Sequence, residues 1–193
     1  MIFGGGEGRS PSPSPRKHKT KGTNMAADVG IVLGSASDWA EVEPGALLLK
    51  EWSIPFEVVV ASAHRAPKKV QAYAREAAGR GVKIIIAAAG MAAHLAGVLA
   101  AETVLPVIGV PMPGSPLKGL DSLLSTVQMP AGVPVATMAI GQAGAKNAAI
   151  FAAQILALGD PRLQKVLAQH KQNLERDVAR QAEQIPEAYR SKG

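Results

Sequence analysis

Hydrophobic residues in this chain fall into short runs that alternate with longer amphipathic stretches. The runs are nearly continuous in apolar residues, which is typical of parallel strands covered on both faces. The predicted strands are Val29–Leu33, Phe56–Ala61, Lys83–Ala88, Val107–Val110 and Val135–Ala139. The predicted helices are about Asp38–Trp52, Pro67–Arg80, Met91–Thr103 and Ala143–Leu158, with a shorter one within Leu117–Val127. Pro44 and Gly45 lie in the first helical stretch, and the proline should kink or interrupt it.

This alternation predicts one α/β domain over residues 28–185. The expected fold is a three-layer α/β/α sandwich, flavodoxin-like or Rossmann-like, with a parallel sheet and right-handed crossovers. Asp160 followed by Pro161 predicts the start of an extra C-terminal helix, because proline is favoured just after the cap. We expect its apolar stripe to pack on the domain or on a neighbouring subunit; the stripe is Leu163, Val166, Leu167, Leu174 and Val178. Residues 186–193 are predicted to be a flexible terminus.

The first 27 residues have a different composition, poor in apolar side chains and rich in Gly, Ser, Pro and Lys. Their alternating Ser-Pro stretch, residues 10–15, is incompatible with a helix or a central strand, and we expect a disordered basic tail. Residues 1–24 carry a net +4 of the chain's +6, so the basic balance owes much to this tail. A true tail, an extension upstream of a start at Met25, and a transit peptide all remain open. A role in binding nucleic acid would rest on the tail alone.

Composition narrows the function classes. A chain of 193 residues can bury enough surface to need no disulfide or metal for stability. The absence of cysteine excludes a thiolate zinc site and a cysteine nucleophile, and it fits a cytoplasmic protein. No apolar run reaches the ~20 residues that span a bilayer, and aromatic residues at 4% argue against stacking on single-stranded nucleic acid. Dinucleotide, P-loop, zinc-protease and serine-hydrolase motifs are also missing.

A polar cluster follows the first predicted strand, in the order Gly34-Ser35-Ala36-Ser37-Asp38-Trp39. A Gly/Ser turn between a buried strand and a helix favours anion binding, because hydroxyls and free helical N–H groups point at the ligand. Asp38 would repel a phosphate, so it fits either a helix cap or an acceptor for sugar hydroxyls. The cluster therefore indicates a phosphorylated sugar or nucleotide as ligand.

The second predicted strand ends in a loop that contains Ser62, His64 and Arg65. The arginine offers a planar fork for phosphate or carboxylate, and the histidine can exchange a proton near neutral pH. Because ligands bind at the carboxyl ends of parallel strands, we expect this loop and the Ser/Asp cluster to form one site.

Small residues follow the third predicted strand, at 88–90 and 92–93. They let backbone N–H groups approach a ligand closely. His94 is expected one helical turn further on, either as a second polar group of the pocket or as an ordinary helix histidine. The Gly/Pro-rich stretch 112–123 that follows the fourth strand is a candidate wall or lid.

These motifs, in this order, resemble the PurE family of 5-(carboxyamino)imidazole ribonucleotide mutases. The resemblance covers roughly residues 28–170. It is carried by residues 34–39, 62–65, 92–95, 105–111, 121–123, 127–130, 132–135 and 146–149.

The resemblance implies a flavodoxin-like core and a homo-octamer with sites between subunits, without metal or organic cofactor. It implies an isomerase of purine (IMP) biosynthesis that moves a carboxylate from the exocyclic nitrogen of an aminoimidazole ribonucleotide to a ring carbon, through decarboxylation and recarboxylation. His64 matches the family's acid/base histidine. The substrate-binding residues it implies are Ser35, Ser37, Asp38, Ser62, Arg65, Ala89, Gly90, Ala92, His94 and Leu95.

Three residues depart from the family pattern: Met91 stands for a glycine, Ala96 for a proline and Ala66 for a threonine. Met91 would either narrow the pocket or fill packing space. Two other functions remain open, namely a related carboxylase that uses free CO2 and a nucleotide-binding module without activity. The His64-Arg65 pair favours the mutase, because the carboxylase branch is expected to carry lysine after the histidine.

Overall fold

The structure, a computed structural model, describes residues 26–186 and Tyr189. Residues 1–25 of the predicted tail, and most of the predicted terminus 186–193, lie outside the described part. Five parallel strands form one sheet in the order β2-β1-β3-β4-β5. They are β1 Val29–Leu33, β2 Phe56–Val60, β3 Ile84–Gly90, β4 Val107–Met112 and β5 Ala136–Thr137. This order is that of flavodoxin-like sheets, and it confirms the predicted fold class.

Helices cover both faces of the sheet. They are α1 Trp39–Glu51, α2 Pro67–Ala77, α3 Leu95–Glu102, α4 Leu120–Val127, α5 Gly141–Ala157 and α6 Pro161–Glu183. One core lies between the sheet and α1, α5 and α6, and the other between the sheet and α2 and α3. Successive strand residues serve opposite cores: Ile31 belongs to the first and Val32 to the second, and both are buried. This two-sided burial is why the strands read as continuous apolar runs.

Helix α1 runs without interruption from Trp39 to Glu51 with Pro44 inside it, so the expected break is wrong. The proline ring removes only one backbone hydrogen bond close to the start of the helix. Buried Val42, Ala46 and Leu49 hold this helix on the core, and that packing outweighs the lost bond.

Several predicted boundaries move; for example, β3 ends at Gly90 and β4 at Met112, each two residues beyond its predicted end. Helix α3 begins at Leu95 rather than Met91, because Met91 has a positive φ of 57° that a right-handed helix excludes. Strand β5 contains only Ala136 and Thr137, at the outer edge of the sheet.

The C-terminal helix begins as predicted. The Asp160 carboxylate accepts hydrogen bonds from the backbone N–H groups of Arg162 and Leu163, at 2.8 and 3.3 Å. Leu163 is buried in the core, whereas Leu174 and Val178 are 46% and 66% exposed. The apolar stripe therefore packs on the domain only along its first turns. Within residues 26–186, no helix has the length and apolar character needed to cross a membrane.

A substitution at Gly45 should destabilise the fold, because the backbone of α1 packs closely against that of α5 there. A Cβ atom on Gly45 would lie 2.4 Å from the backbone oxygen of Ala145, which cannot move aside as a flexible side chain can. We expect Gly45→Ala to lower the free energy of unfolding by about 1–3 kcal/mol in urea denaturation. Gly79→Ala is the control, since a Cβ there meets nothing within 4 Å. Equal stability of the two variants would contradict this account of the helix contact.

Candidate active site

A cavity of about 850 Å³ opens at the carboxyl ends of β1, β2, β3 and β4. Its volume lies in the range of ligand pockets. The structure brings all eleven predicted site residues to this one cavity: Ser35, Ser37, Asp38, Ser62, His64, Arg65, Ala89, Gly90, Ala92, His94 and Leu95.

The turn after β1 holds two hydroxyls side by side. The Ser35 hydroxyl oxygen accepts hydrogen bonds from the Ser37 backbone N–H at 3.3 Å and from the Ser37 hydroxyl at 2.8 Å. Ser35 thereby caps the 3-10 turn Ala36–Asp38. Asp38 makes no side-chain cap bond to α1, so its expected role as a helix cap is wrong. The physical reason is that Ser35 already caps this turn, which leaves the carboxylate available to the cavity.

Arg65 connects the loops after β1 and β2. Its Nη2 donates to the backbone oxygen of Gly34 at 3.2 Å, and its Nε donates to the Ser62 hydroxyl at 3.4 Å. The Ser62 hydroxyl also accepts from the Arg65 backbone N–H at 3.3 Å. A guanidinium has five N–H donors, so this anchored side chain keeps donors for a bound anion.

The rings of His64 and His94 meet in the cavity. Nε2 of His64 lies 2.9 Å from Nδ1 of His94, and the rings stand edge to face with centroids 5.0 Å apart. At this distance one of the two facing nitrogens donates a hydrogen bond and the other accepts it. His94 is the residue just before α3, not one turn inside a helix as predicted, and this earlier position lets its ring reach His64.

Burial raises the pKa of Asp38 above its ordinary value, although a backbone hydrogen bond from Ser35 and the nearby Arg65 cation oppose the shift. Partial removal from water penalises the charged carboxylate. The site therefore keeps this carboxylate at a cost in stability, as is common where function rather than folding selects a residue.

Glu41 is the cavity residue that none of the predicted motifs contains. Besides the predicted set, the cavity is lined by Gly34, Glu41, Ala63, Met91, Met112, Pro113 and Gly114. Glu41 accepts a hydrogen bond from the Gln142 backbone N–H at 3.1 Å and so binds the positive end of the α5 dipole. This contact joins parts of the chain that are far apart in sequence, so no local motif predicts it. The last three residues belong to the predicted wall or lid segment, which forms part of the cavity wall.

Met91 is the strained residue of the cavity. Its φ of 57° lies in the left-handed region, which costs a non-glycine residue about 1–2 kcal/mol. The turn redirects the chain between the end of β3 and His94. Glycine would adopt it without that cost.

The fold is that of a flavodoxin-like α/β protein, and its cavity places the hydroxyls of two serines and an arginine beside a pair of histidines in contact. Residues 28–177 match the model of the AIR carboxylase family. The chain belongs to this family.

Named relatives agree with this assignment. N5-carboxyaminoimidazole ribonucleotide mutase of Pseudomonas aeruginosa is 55% identical over 149 residues, covering 77% of this chain and 91% of the relative. Phosphoribosylaminoimidazole carboxylase of Schizosaccharomyces pombe is 48% identical over 157 residues, which cover 81% of this chain but 28% of that protein. The crystal structure of Treponema denticola PurE superposes with a TM-score of 0.74 at 26% identity, covering 82% of this chain and 98% of that one.

Replacing Asp38 by asparagine should stabilise the protein at neutral pH. The folded-state pKa of Asp38 is raised, so the charged carboxylate opposes folding above that pKa, and this penalty disappears below about pH 4, where the unfolded chain is protonated too. Urea denaturation should show Asp38→Asn to be more stable than the parent at pH 7, with the difference vanishing at pH 3–4. A variant that is less stable at pH 7 would show that the carboxylate supports the fold.

Proposed function

We propose that this protein is an isomerase of purine biosynthesis that converts 5-(carboxyamino)imidazole ribonucleotide into 5-amino-4-imidazolecarboxylate ribonucleotide. The observation that carries the proposal is the His64–His94 pair at 2.9 Å in a cavity that also contains anion-binding groups. Membership of the AIR carboxylase family and the mutase name of the Pseudomonas aeruginosa relative support it independently.

The ligand's phosphate is bound by the hydroxyls of Ser35 and Ser37 together with the guanidinium of Arg65. The paired hydroxyls offer adjacent donors, and arginine binds phosphate oxygens through two parallel N–H bonds. Asp38 accepts hydrogen bonds from the ribose hydroxyls. In this position the carboxylate does not approach the phosphate, which it would repel. Ser62 keeps the arginine in place, as its hydrogen bond to Nε indicates.

The reaction breaks one carbon–nitrogen bond and forms one carbon–carbon bond. When the carboxylate leaves the exocyclic nitrogen as CO2, the bonding electron pair stays on that nitrogen, which takes a proton from His64. The neighbouring ring carbon then attacks CO2, and His64 removes the proton from this carbon. The histidine returns to its starting state, and no electrons enter or leave the system, so one acid/base residue is sufficient.

The other residues of the cavity serve this sequence of steps. His94 holds the ring of His64 in one orientation, as its contact with Nε2 supports. The small apolar wall formed by Ala89, Gly90, Ala92 and Leu95 gives CO2 a space with little water. Such a wall limits hydration of the released CO2 before the ring carbon captures it.

We also infer that the protein is cytoplasmic and assembles as a homo-oligomer, an octamer with sites between subunits by its resemblance to the PurE family. An exposed apolar stripe on and before α4 supports self-association. Leu117, Leu120, Leu124 and Val127 recur at helical spacing with 47–62% of each side chain exposed. Exposed apolar patches of this kind mark protein interfaces.

A carboxylase that joins free CO2 to aminoimidazole ribonucleotide is the alternative, favoured by the carboxylase name of the Schizosaccharomyces pombe relative. It would use the same cavity and the same acid/base histidine. An ATP-free assay with two inputs separates the two functions. For the mutase, the carbon-carboxylated product forms rapidly from 5-(carboxyamino)imidazole ribonucleotide, and slowly from aminoimidazole ribonucleotide while CO2 is kept low.

Product that rises with added CO2 from the second input alone would establish the carboxylase instead. Ligand binding without product from either input would identify a nucleotide-binding module without activity.

The acid/base role of His64 predicts a large loss of activity on substitution. His64→Asn should lower kcat by at least about 100-fold while leaving ligand binding and the melting temperature near parental values. His94→Asn should have a smaller effect, because it removes the orienting contact but keeps the proton carrier. The control is His170→Asn. His170 lies on α6, outside the cavity, and packs against Trp52. Ordinary turnover by His64→Asn would overturn the assignment.

A further inference from the structure

Met91 combines a strained backbone conformation with a side chain that lines the cavity. Three non-glycine residues in the described part of the chain have positive φ, namely Ser53, Met91 and Lys118, and Met91 alone among them lines the cavity. Glycine adopts this conformation freely. Methionine lacks the short polar group that helps asparagine or aspartate adopt it.

Core packing does not account for the methionine either. Met91 is 59% exposed and belongs to neither hydrophobic core. The side chain therefore fills no gap inside the fold. It is an unbranched apolar group with three rotatable bonds, carried by a strained backbone at the edge of a ligand cavity.

Its immediate surroundings indicate what it would cover. Met91 joins Gly90 to Ala92, two small residues of the wall that faces the ligand. His94, which contacts His64, follows three residues later. The methionine thus lines the cavity within the segment that connects the end of β3 to the histidine pair.

We infer that Met91 is an apolar cover over the reacting end of the bound ribonucleotide. It keeps water out and retains the released CO2 until the ring carbon captures it. This inference rests on the proposed function, because it concerns the interval between the two steps of that reaction. In that interval CO2 either joins the ring carbon or escapes and leaves aminoimidazole ribonucleotide behind. An apolar cover favours capture, since it reduces both escape and the entry of water.

The test measures the fraction of turnovers in which CO2 is captured by the ring carbon and the fraction in which it escapes. The full chain converts 5-(carboxyamino)imidazole ribonucleotide in a buffer that contains carbon-13-labelled bicarbonate, and two quantities are measured. One is the ratio of free aminoimidazole ribonucleotide to carboxylated product, corrected for spontaneous decarboxylation without enzyme. The other is the labelled fraction of the product, which reports exchange between the cavity and solution.

Four variants separate the side chain from the backbone. Met91→Ala removes the cover and keeps the strain, whereas Met91→Gly removes both. Met91→Leu keeps an apolar side chain, and Met91→Gln keeps its length but makes it polar. The alanine, glycine and glutamine variants should raise both quantities at least about threefold, and leucine should stay near the parent.

Lys118→Gly is the matched control for strain, because it relieves a positive φ of 52° away from the cavity lining. Met91→Gly and Lys118→Gly should both raise the melting temperature by about 2–4 °C, and Lys118→Gly should leave the division of turnovers unchanged.

The inference is overturned if Met91→Ala and Met91→Gly leave both the ratio of free aminoimidazole ribonucleotide to product and the labelled fraction unchanged. This holds even if their rates fall, because a lower rate alone reflects a structural role. A parent enzyme that forms product from 5-(carboxyamino)imidazole ribonucleotide, combined with that result, would leave the proposed function standing. A parent that forms no product from this substrate would overturn the proposed function and this inference with it.

Discussion

The site depends on the parallel register of the three strands β2, β1 and β3. Leu33, the last residue of β1, pairs with Val60 of β2 on one side and Ala88 of β3 on the other. This alignment places the turns after the three strands next to one another. Because β1 lies between the other two strands, His64 and His94 meet across its end. A shift in the register of either neighbour would separate the two rings.

The turn after β1 contacts β3 on one side and Arg65 on the other. A Cβ on Gly34 would lie 3.4 Å from Ala89, and the Gly34 backbone oxygen accepts the hydrogen bond of Arg65. Gly34 therefore serves at once as a close contact of β3 and as an anchor for the cation. Glu41 extends the same cavity to the start of α5 through its hydrogen bond to Gln142. The cavity is thus built from contacts between loops, each held by a strand or helix of the sandwich.

Two residues of this cavity are not those that a stable fold alone would select. The pKa of Asp38 is raised because burial opposes its charge, and Met91 holds a conformation that glycine would adopt more easily. Both features oppose folding, and the sandwich tolerates them because its two cores are large and closely packed. Backbone strain at a ligand cavity is typical of enzymes, although Ser53 and Lys118 have positive φ outside the cavity.

The alternation of apolar runs and amphipathic stretches was enough to predict the α/β sandwich, because strands buried on both faces must be apolar throughout. The polar side chains after the first two strands were enough to predict that they meet in one cavity, since parallel strands bring their carboxyl ends to one edge. The full set of candidate residues also needed the resemblance to the PurE family. Only the tertiary structure decided the rest. It shows that Ser35 rather than Asp38 caps the first turn, that His94 precedes α3, and that Pro44 lies within a continuous helix. These outcomes depend on packing and on contacts between distant segments, such as that of Glu41 with Gln142. The local sequence predicts neither the packing nor these contacts.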